Sequence, residues 1–185
     1  MVVGDLYLRK VELGDAELLA KWYNSFDIVR YMNPVLRCKK HTKESVENEI
    51  KSSNPDFERL FVVYKDGKDK PIGEAGIDDI DFYDKRGEIF FFIGDSEERG
   101  KGYGKKMVTL LLDYAFNELK LNSIFATATV DNRPSISALE KSGFKKVGVR
   151  RDYNSIDGKF VDEALFDIIQ KDYVAQKEKP VEPKG

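Results

Sequence analysis

The sequence is poor in cysteine and histidine, with one residue of each, Cys38 and His41. A single cysteine excludes an internal disulfide, and one cysteine with one histidine gives too few ligands for a structural zinc site, so no metal is expected. His41 follows two lysines at a polar helix start and is expected at the surface.

Long apolar runs and an excess of charge of one sign are also absent. No stretch has the length of a membrane span, and the first ten residues lack the apolar run of a signal peptide, so a cytoplasmic location is expected. The chain has 31 basic and 33 acidic residues. Nucleic-acid binding is favoured by a clear basic excess, so nucleic acid is not expected as a main partner.

The 185 residues suffice for one domain with its own core and are few for two. We expect this domain to span residues 1–174. Residues 175–185 are charged, proline-rich and without an apolar face, which predicts a disordered tail.

Strands and helices alternate along the expected domain. Strands are predicted at residues 60–64, 71–80, 87–93 and 123–130, and a closing hairpin at 147–153 and 160–169. Apolar spacing predicts a helix over 103–119, and a second helix begins at an Asn132 cap and ends at Gly143. This order predicts the α/β (α+β) class, with helices packed on one mixed sheet.

The most informative segment is Glu98–Lys106, which follows an apolar strand and precedes the first of these helices. Its interleaved glycines let successive backbone amides turn inward, and the helix start adds the positive end of its dipole, an arrangement suited to phosphate. A tight turn with solvated lysines is the competing interpretation. The glycine spacing fits neither the dinucleotide fingerprint nor the Walker A loop. It fits R-x-x-G-x-G, with Arg99, Gly102 and Gly104.

This pattern resembles the coenzyme A loop of the GNAT acetyltransferase superfamily, because the block Asp131–Phe144 follows at the distance that the family requires. That block is similar to the N-x-x-[AS]…K-x-G-F helix of the branch that acetylates protein N-termini and spermidine. The resemblance implies one GNAT-like domain whose central mixed, mostly antiparallel, twisted sheet is splayed at the acetyl-CoA site. It also implies an N-acetyltransferase that uses acetyl-CoA as co-substrate and no metal.

The resemblance implies how coenzyme A is held. Loop amides would bind the diphosphate, with charge added by Lys101 or Lys105, and the strand before the loop would pair with the pantetheine arm. Gly94 suits a bulge there, and Asn132 would contact the cofactor besides capping its helix. The predicted cofactor-binding residues are Phe92, Ile93, Gly94, Arg99, Gly100, Lys101, Gly102, Tyr103, Gly104, Lys105, Asn132 and Ser135.

Acetyl transfer to an amine needs a base for the amine proton and a proton for the leaving thiolate. Glu88 and Glu74 are the candidate bases, and each has the alternative role of a rim charge. Many family members place a tyrosine acid where this chain has Leu139. The acid role therefore falls to Ser135, Tyr103 or water.

The acceptor is expected to be a protein N-terminal amine or a polyamine. Three aspartates, Asp78, Asp79 and Asp81, suggest a docking surface for a cationic amine, although a solvated turn is the commoner meaning of such a run. The pocket is expected to be shaped by residues 22–56 and the late hairpin. The alternatives are a non-catalytic acyl-CoA sensor or assembly module, and an ATP hydrolase. Against the hydrolase, this chain lacks the Ser or Thr hydroxyl of a Walker A loop. A homo-oligomer is compatible with the sequence.

Overall fold

The computed structural model describes residues 2–32 and 34–177. The strands are β1 Val2–Val3, β2 Leu6–Lys10, β3 Arg59–Lys65, β4 Gly73–Asp81, β5 Arg86–Ile93, β6 Ser123–Thr129, β7 Lys145–Ile156 and β8 Lys159–Ile169. The α-helices are α1 Ala16–Tyr23, α2 Phe26–Val29, α3 Pro34–Arg37, α4 Lys43–Ser52, α5 Tyr103–Asp113, α6 Arg133–Lys141 and α7 Gln170–Lys177. Short 3₁₀ turns cover Leu13–Asp15 and Ser96–Glu98, and a π turn at Tyr114–Glu118 extends α5. Within the described ranges, no helix combines the length and apolarity that crossing a membrane requires.

The strands form one eight-stranded sheet in the order β1-β2-β3-β4-β5-β6-β8-β7. Neighbouring strands are antiparallel except β5 and β6, which are parallel. The expected mixed, mostly antiparallel sheet is therefore confirmed. The parallel pair lies near the centre. Two parallel strands need a crossover connection, and here this connection contains the glycine-rich segment and α5.

The two central strands separate along their length. They pair only at Arg86 with Ser123, Gly87 with Ile124 and Glu88 with Phe125. β5 nevertheless continues to Ile93 along β4, and β6 continues to Thr129 along β8. We call the resulting gap, between residues 89–93 and 126–129, the splay. It confirms the predicted opening of the sheet and leaves strand edges without a neighbouring strand there.

Each sheet face carries its own apolar core. On the first, which we call the α5 face, Met107, Val108 and Leu111 pack against alternate strand residues such as Ala75 and Ile89. The opposite face is covered by α1 and α4, where Leu19, Trp22 and Val46 pack around Val62 and Phe92. We call it the α1–α4 face. Because side chains alternate along a strand, residues 88, 90 and 92 of β5 point to the α1–α4 face.

Helix α6 begins and ends as its sequence predicts. The Asn132 side chain accepts a hydrogen bond from the Ser135 amide at 3.3 Å, and Pro134 occupies the first turn, where its missing amide costs nothing. The chain leaves α6 through Gly143 at φ 93°, in the left-handed region that glycine tolerates best.

Two boundaries differ from the sequence prediction by three residues, and the others by at most two. The closing hairpin is longer than predicted, because most β7 residues are exposed at the sheet edge and carry no apolar pattern. Helix α7 reaches Lys177 and so includes residues 175–177, which the sequence assigns to the tail. The rest of the predicted tail, 178–185, lies outside the described residues.

Candidate active site

The glycine-rich segment that follows the 3₁₀ turn and includes the first residues of α5, residues 99–105, is called the phosphate loop below. Gly100 has φ 75° and Gly102 has φ 81°, and Gly102 is the residue that caps α5. The amides of the first helical turn, at Tyr103, Gly104 and Lys105, have no partners within a helix. Glycine conformation and helix geometry together therefore present backbone N–H groups suited to an anion.

Gly104 lets the start of α5 approach the splay. A Cβ atom at this position would lie 3.3 Å from the Ala138 Cβ of α6 and 3.5 Å from the Phe91 ring of β5. The phosphate loop, α6 and the splayed part of β5 therefore meet at one place.

Three side chains of the phosphate loop contact other protein groups. Arg99 Nε donates to the Ile93 carbonyl at 3.1 Å, and Lys101 Nζ lies 3.1 Å from a Glu98 oxygen. Tyr103 is buried, and its hydroxyl donates to Asp5 Oδ2 at 3.1 Å. Lys105 is exposed. This arrangement favours anion binding by the backbone and does not favour Tyr103 as the acid, since its hydroxyl is held by Asp5.

The register of β5 decides which backbone groups face the splay. The Gly94 amide donates to the Ile72 carbonyl at 2.9 Å, so the antiparallel ladder makes Phe92 a residue that bonds to β4. Alternate residues Phe91 and Ile93 direct their backbone groups to the opposite edge. The β5 backbone groups that face the splay are thus those of Phe91 and Ile93, whereas the sequence names residues 92–94 for pairing with a ligand.

Position 94 requires glycine because of space, and its backbone amide is not free to bind a ligand. The amides of Gly94 and Asp95 both donate to Ile72, the two-against-one pattern that is typical of a bulge. A Cβ at Gly94 would lie 2.2 Å from the Trp22 ring. The bulge therefore uses the Gly94 amide instead of freeing it, and the glycine makes room for α1.

Glu88 stands at the closed end of the splay, as the last β5 residue that pairs with β6. Its side chain is half-buried on the α1–α4 face, and the Thr127 hydroxyl donates to Glu88 Oε1 at 3.3 Å. Burial, aided by the charges of Asp79 and Glu163, raises the pKa of Glu88, while Thr127 and Arg150 oppose the rise. A raised carboxyl pKa suits a group that accepts a proton near neutral pH.

Glu74 is buried on the same face, with 2% of its surface exposed. The Tyr23 hydroxyl lies 2.8 Å from each of its two oxygens. Burial raises the pKa of Glu74 to about 8, against the opposing hydrogen bond from Tyr23. With both oxygens under Tyr23, Glu74 is less accessible to an acceptor than Glu88.

This burial makes stability depend on pH. Glu74 has an ordinary pKa of 4.5 in the unfolded chain and about 8 in the fold, so the folded state retains its proton between these values. We expect the free energy of unfolding to fall as pH rises from 4.5 to 8, by up to about 1.4 kcal/mol per pH unit from this group. Urea unfolding at several pH values, compared between wild type and Glu74→Gln, would show a shallower fall in the variant. Equal slopes in both would contradict the assignment, and exposed Glu140→Gln is the control.

The three aspartates at the end of β4 have separate roles. Asp78 pairs with Glu88 across the strands, and burial followed by the charges of Glu58 and Glu88 raises its pKa to about 7. Asp81 accepts hydrogen bonds from the amides of residues 83 and 84, as in the solvated turn that the sequence offered as the alternative. Asp78 is thus paired with a candidate base across the strands, and the charge of Asp79 also helps to raise the pKa of Glu88.

Helix α6 presents Ser135 toward the phosphate loop. Ser135 lies one turn before Ala138, the residue nearest to Gly104, so both occupy the same side of the helix. Leu139 is 1% exposed and packs in the core of the α5 face. The position that carries a tyrosine in many relatives is thus a packing residue here.

Four residues at the site were missed or misjudged from sequence. Tyr23 and Thr127 contact the two carboxyl groups but lie far from them along the chain. Glu98 begins the diagnostic segment and received no role. His41, predicted at the surface, is 2% exposed, with Nε2 3.1 Å from the Leu36 carbonyl and its ring against Tyr23.

The segments expected to shape the acceptor pocket meet over the α1–α4 side. Arg37 Nη1 donates to the Ser155 carbonyl at 2.9 Å, and Arg30 Nη2 lies 3.4 Å from Asp157 Oδ2. The region of α2 and α3 is thereby joined to the tip of the β7–β8 hairpin.

Comparison with known proteins agrees with this geometry. A family model described as an acetyltransferase (GNAT) domain matches residues 5–145. The chain is 32% identical over 171 residues to an uncharacterized N-acetyltransferase, p20, of Bacillus licheniformis, covering 91% of this chain and 94% of the relative. It is 27% identical over 173 residues to spermidine N(1)-acetyltransferase of Vibrio cholerae, covering 94% and 98%. A crystal structure of the Vibrio cholerae spermidine N-acetyltransferase with CoA and spermine superposes with a TM-score of 0.83 at 26% identity, covering 92% and 98%.

Proposed function

The chain belongs to the GNAT acetyltransferase family, and on that premise we propose that its acceptor is a polyamine. It is an acetyl-CoA-dependent N-acetyltransferase, which moves an acetyl group to a primary amine. The comparisons give no support to a non-catalytic sensor. We further propose that the reaction takes place in the cytoplasm, where acetyl-CoA is supplied.

We assign the diphosphate of coenzyme A to the amides of the phosphate loop and the start of α5. The pantetheine arm would then enter the splay and pair with the backbone of Phe91 and the amide of Ile93, beyond the residues where β5 pairs with β6. The Ile93 carbonyl already accepts a hydrogen bond from Arg99. Asn132 and Ser135, at the start of α6, would flank the arm. The contact between Gly104 and α6 supports this assignment, because it brings both helix starts to the splay.

Glu88 is proposed as the base and Ser135 as the acid. The amine gives a proton to Glu88, directly or through water, and its nitrogen bonds to the thioester carbon as the carbon–sulfur bond breaks. The thiolate receives a proton from the Ser135 hydroxyl, Ser135 regains one from solvent, and Glu88 releases the amine proton to solvent. The products are an amide and the coenzyme A thiol, so protons and charge balance.

The observation that carries the polyamine assignment is the pair of carboxyl groups at the closed end of the splay. Asp78 lies across from Glu88, and the charge of Glu88 adds to burial and Glu58 in raising the pKa of Asp78. A cationic acceptor would relieve this like-charge repulsion. The spermine-bound relative supports the same class of acceptor.

A panel of acceptors tests the proposal. We expect thiol release from acetyl-CoA with spermidine and spermine, at kcat/KM values at least about tenfold above those for a simple monoamine or an N-terminal peptide, since a second ion pair contributes on the order of 1.4 kcal/mol. Asp78→Asn should remove most of this preference, while Asp84→Asn, at an exposed turn position, should keep it. Faster acetylation of the peptide than of any polyamine would contradict the proposal.

A further inference from the structure

Glu98 is a buried carboxylate surrounded by lysines. Only 2% of its surface is exposed. Lys65 and Lys101 each approach Oε2 to 3.1 Å, and Lys68 approaches Oε1 to 3.4 Å. We call these four residues the lysine hub. Three cations around one buried acid are more than an isolated surface ion pair, because the burial makes the carboxylate depend on its partners.

The hub keeps Glu98 ionised. Burial alone would raise the pKa of Glu98, but hydrogen bonds from Lys65, Lys101 and Lys68 outweigh it and lower the pKa to about 2. Glu98 therefore carries its charge throughout the neutral range, and the lysines are held to it by charge-assisted hydrogen bonds.

The lysine hub contacts the phosphate loop at two points. Lys101 belongs to the loop itself. Lys65 Nζ, at the end of β3, also lies 5.3 Å from the ring centroid of Tyr103, the first residue of α5. Lys106 Nζ lies 5.0 Å from the same centroid. Both the middle and the end of the loop are thereby tied to the rigid sheet.

Arg99 and Tyr103 anchor the loop near its ends, but the two glycines between them have no such contact. A Cβ at Gly100 or at Gly102 would meet no atom within 4 Å, so neither position is held by packing. Glycine is also the residue with the greatest conformational freedom. Convergence of the loop amides on one anion therefore needs restraint from outside the loop, and a site ordered before binding gains affinity because it loses less entropy.

We infer that Glu98 is a positioning residue that orders the phosphate loop for coenzyme A by holding Lys101 and, through Lys65, the start of α5. The inference rests on the proposed binding of coenzyme A at this loop and adds a requirement for the hub. Glu98 itself does not touch the ligand in this account.

Calorimetric titration of the purified protein with coenzyme A tests the inference. Glu98→Gln should raise the Kd for coenzyme A and the KM for acetyl-CoA about 5- to 50-fold while kcat at saturation stays within about twofold, as expected for coupling through loop order. Glu97→Gln is the matched control, since the neighbouring Glu97 has a side chain that is 82% exposed and that lies 3.9 Å from Lys68. This control should bind as wild type does.

A second single variant, Lys101→Met, and the double variant with Glu98→Gln separate loop ordering from direct phosphate binding. Lys101→Met should weaken binding as Glu98→Gln does. The double variant should bind coenzyme A as tightly as the single variant of lower affinity, because both substitutions remove the same Lys101–Glu98 contact. Thermal unfolding identifies any variant that does not fold. If Glu98→Gln does not fold, Lys65→Met replaces it and should weaken binding likewise, because Lys65 contacts both Glu98 and Tyr103 and Glu98 then retains two lysines. Additive losses, or a loss in Lys101→Met alone, would overturn the inference in favour of direct phosphate binding by Lys101. Unchanged binding in Glu98→Gln would overturn it as well, whereas wild-type protein that fails to bind coenzyme A would refute the proposed function instead.

Discussion

Glu88→Gln is expected to lower kcat/KM for the acceptor about 10²- to 10⁴-fold, the range over which a general base accelerates proton transfer. Glutamine keeps the size and the Thr127 contact but cannot accept the amine proton. Because Glu88 lies on the α1–α4 face, away from the phosphate loop, the Kd for coenzyme A should remain that of wild type. Steady-state rates with spermine and calorimetry with coenzyme A measure the two quantities.

The pH profile separates Glu88 from Glu74. A base acts when it is deprotonated, so wild-type kcat/KM should rise with pH through the raised pKa of Glu88. Glu88→Gln should lose this limb and keep any rise that comes from deprotonation of the amine. Glu74→Gln should retain it. If Glu74→Gln abolishes turnover and Glu88→Gln does not, the base has been assigned to the wrong carboxyl group.

Gly102→Val is expected to weaken coenzyme A binding by about tenfold or more, since a side chain in the left-handed region costs about 1–2 kcal/mol and a branched one is tolerated least. Gly102 has φ 81° and is the residue from which α5 starts, so the strain would be relieved by turning the following amides. Calorimetric titration with coenzyme A gives the Kd.

The control for this strain is Gly158→Val. Gly158 has φ 75° and, like Gly102, has open space where a Cβ would project, but it lies in the β7–β8 turn. Both variants should lose thermal stability, and only Gly102→Val should lose affinity for coenzyme A. Equal affinity in the two variants would mean that the phosphate loop does not hold the ligand.

The glycine-rich segment could be assigned from sequence because its requirements are local. Positive φ at Gly100 and Gly102 and the helix start that follows depend on neighbouring residues. The cap of α6 by Asn132 is equally local, and the sequence predicts it at the correct residue.

The sequence does not show which β5 residues bond to β4 and which direct their backbone groups to the splay. Whether Phe91 or Phe92 directs its backbone to the splay depends on which β4 residue lies opposite, and an apolar run of five residues carries no alternation to show it. The resemblance alone predicted the splay, because its position depends on where β5 and β6 stop pairing.

Partners of the buried carboxylates were also beyond the sequence. Tyr23 is 51 residues from Glu74, Thr127 is 39 residues from Glu88, and Lys65 is 33 residues from Glu98. Such contacts follow from the packing of whole elements. Knowledge of the fold is needed before a buried acid can be distinguished from a rim charge.

A crystal structure with coenzyme A tests the account most directly. We expect diphosphate oxygens within about 3.2 Å of backbone nitrogens in the phosphate loop and the first turn of α5, and the sulfur inside the splay beside Glu88. A ligand whose diphosphate is held by side chains elsewhere, with its sulfur outside the splay, would contradict it.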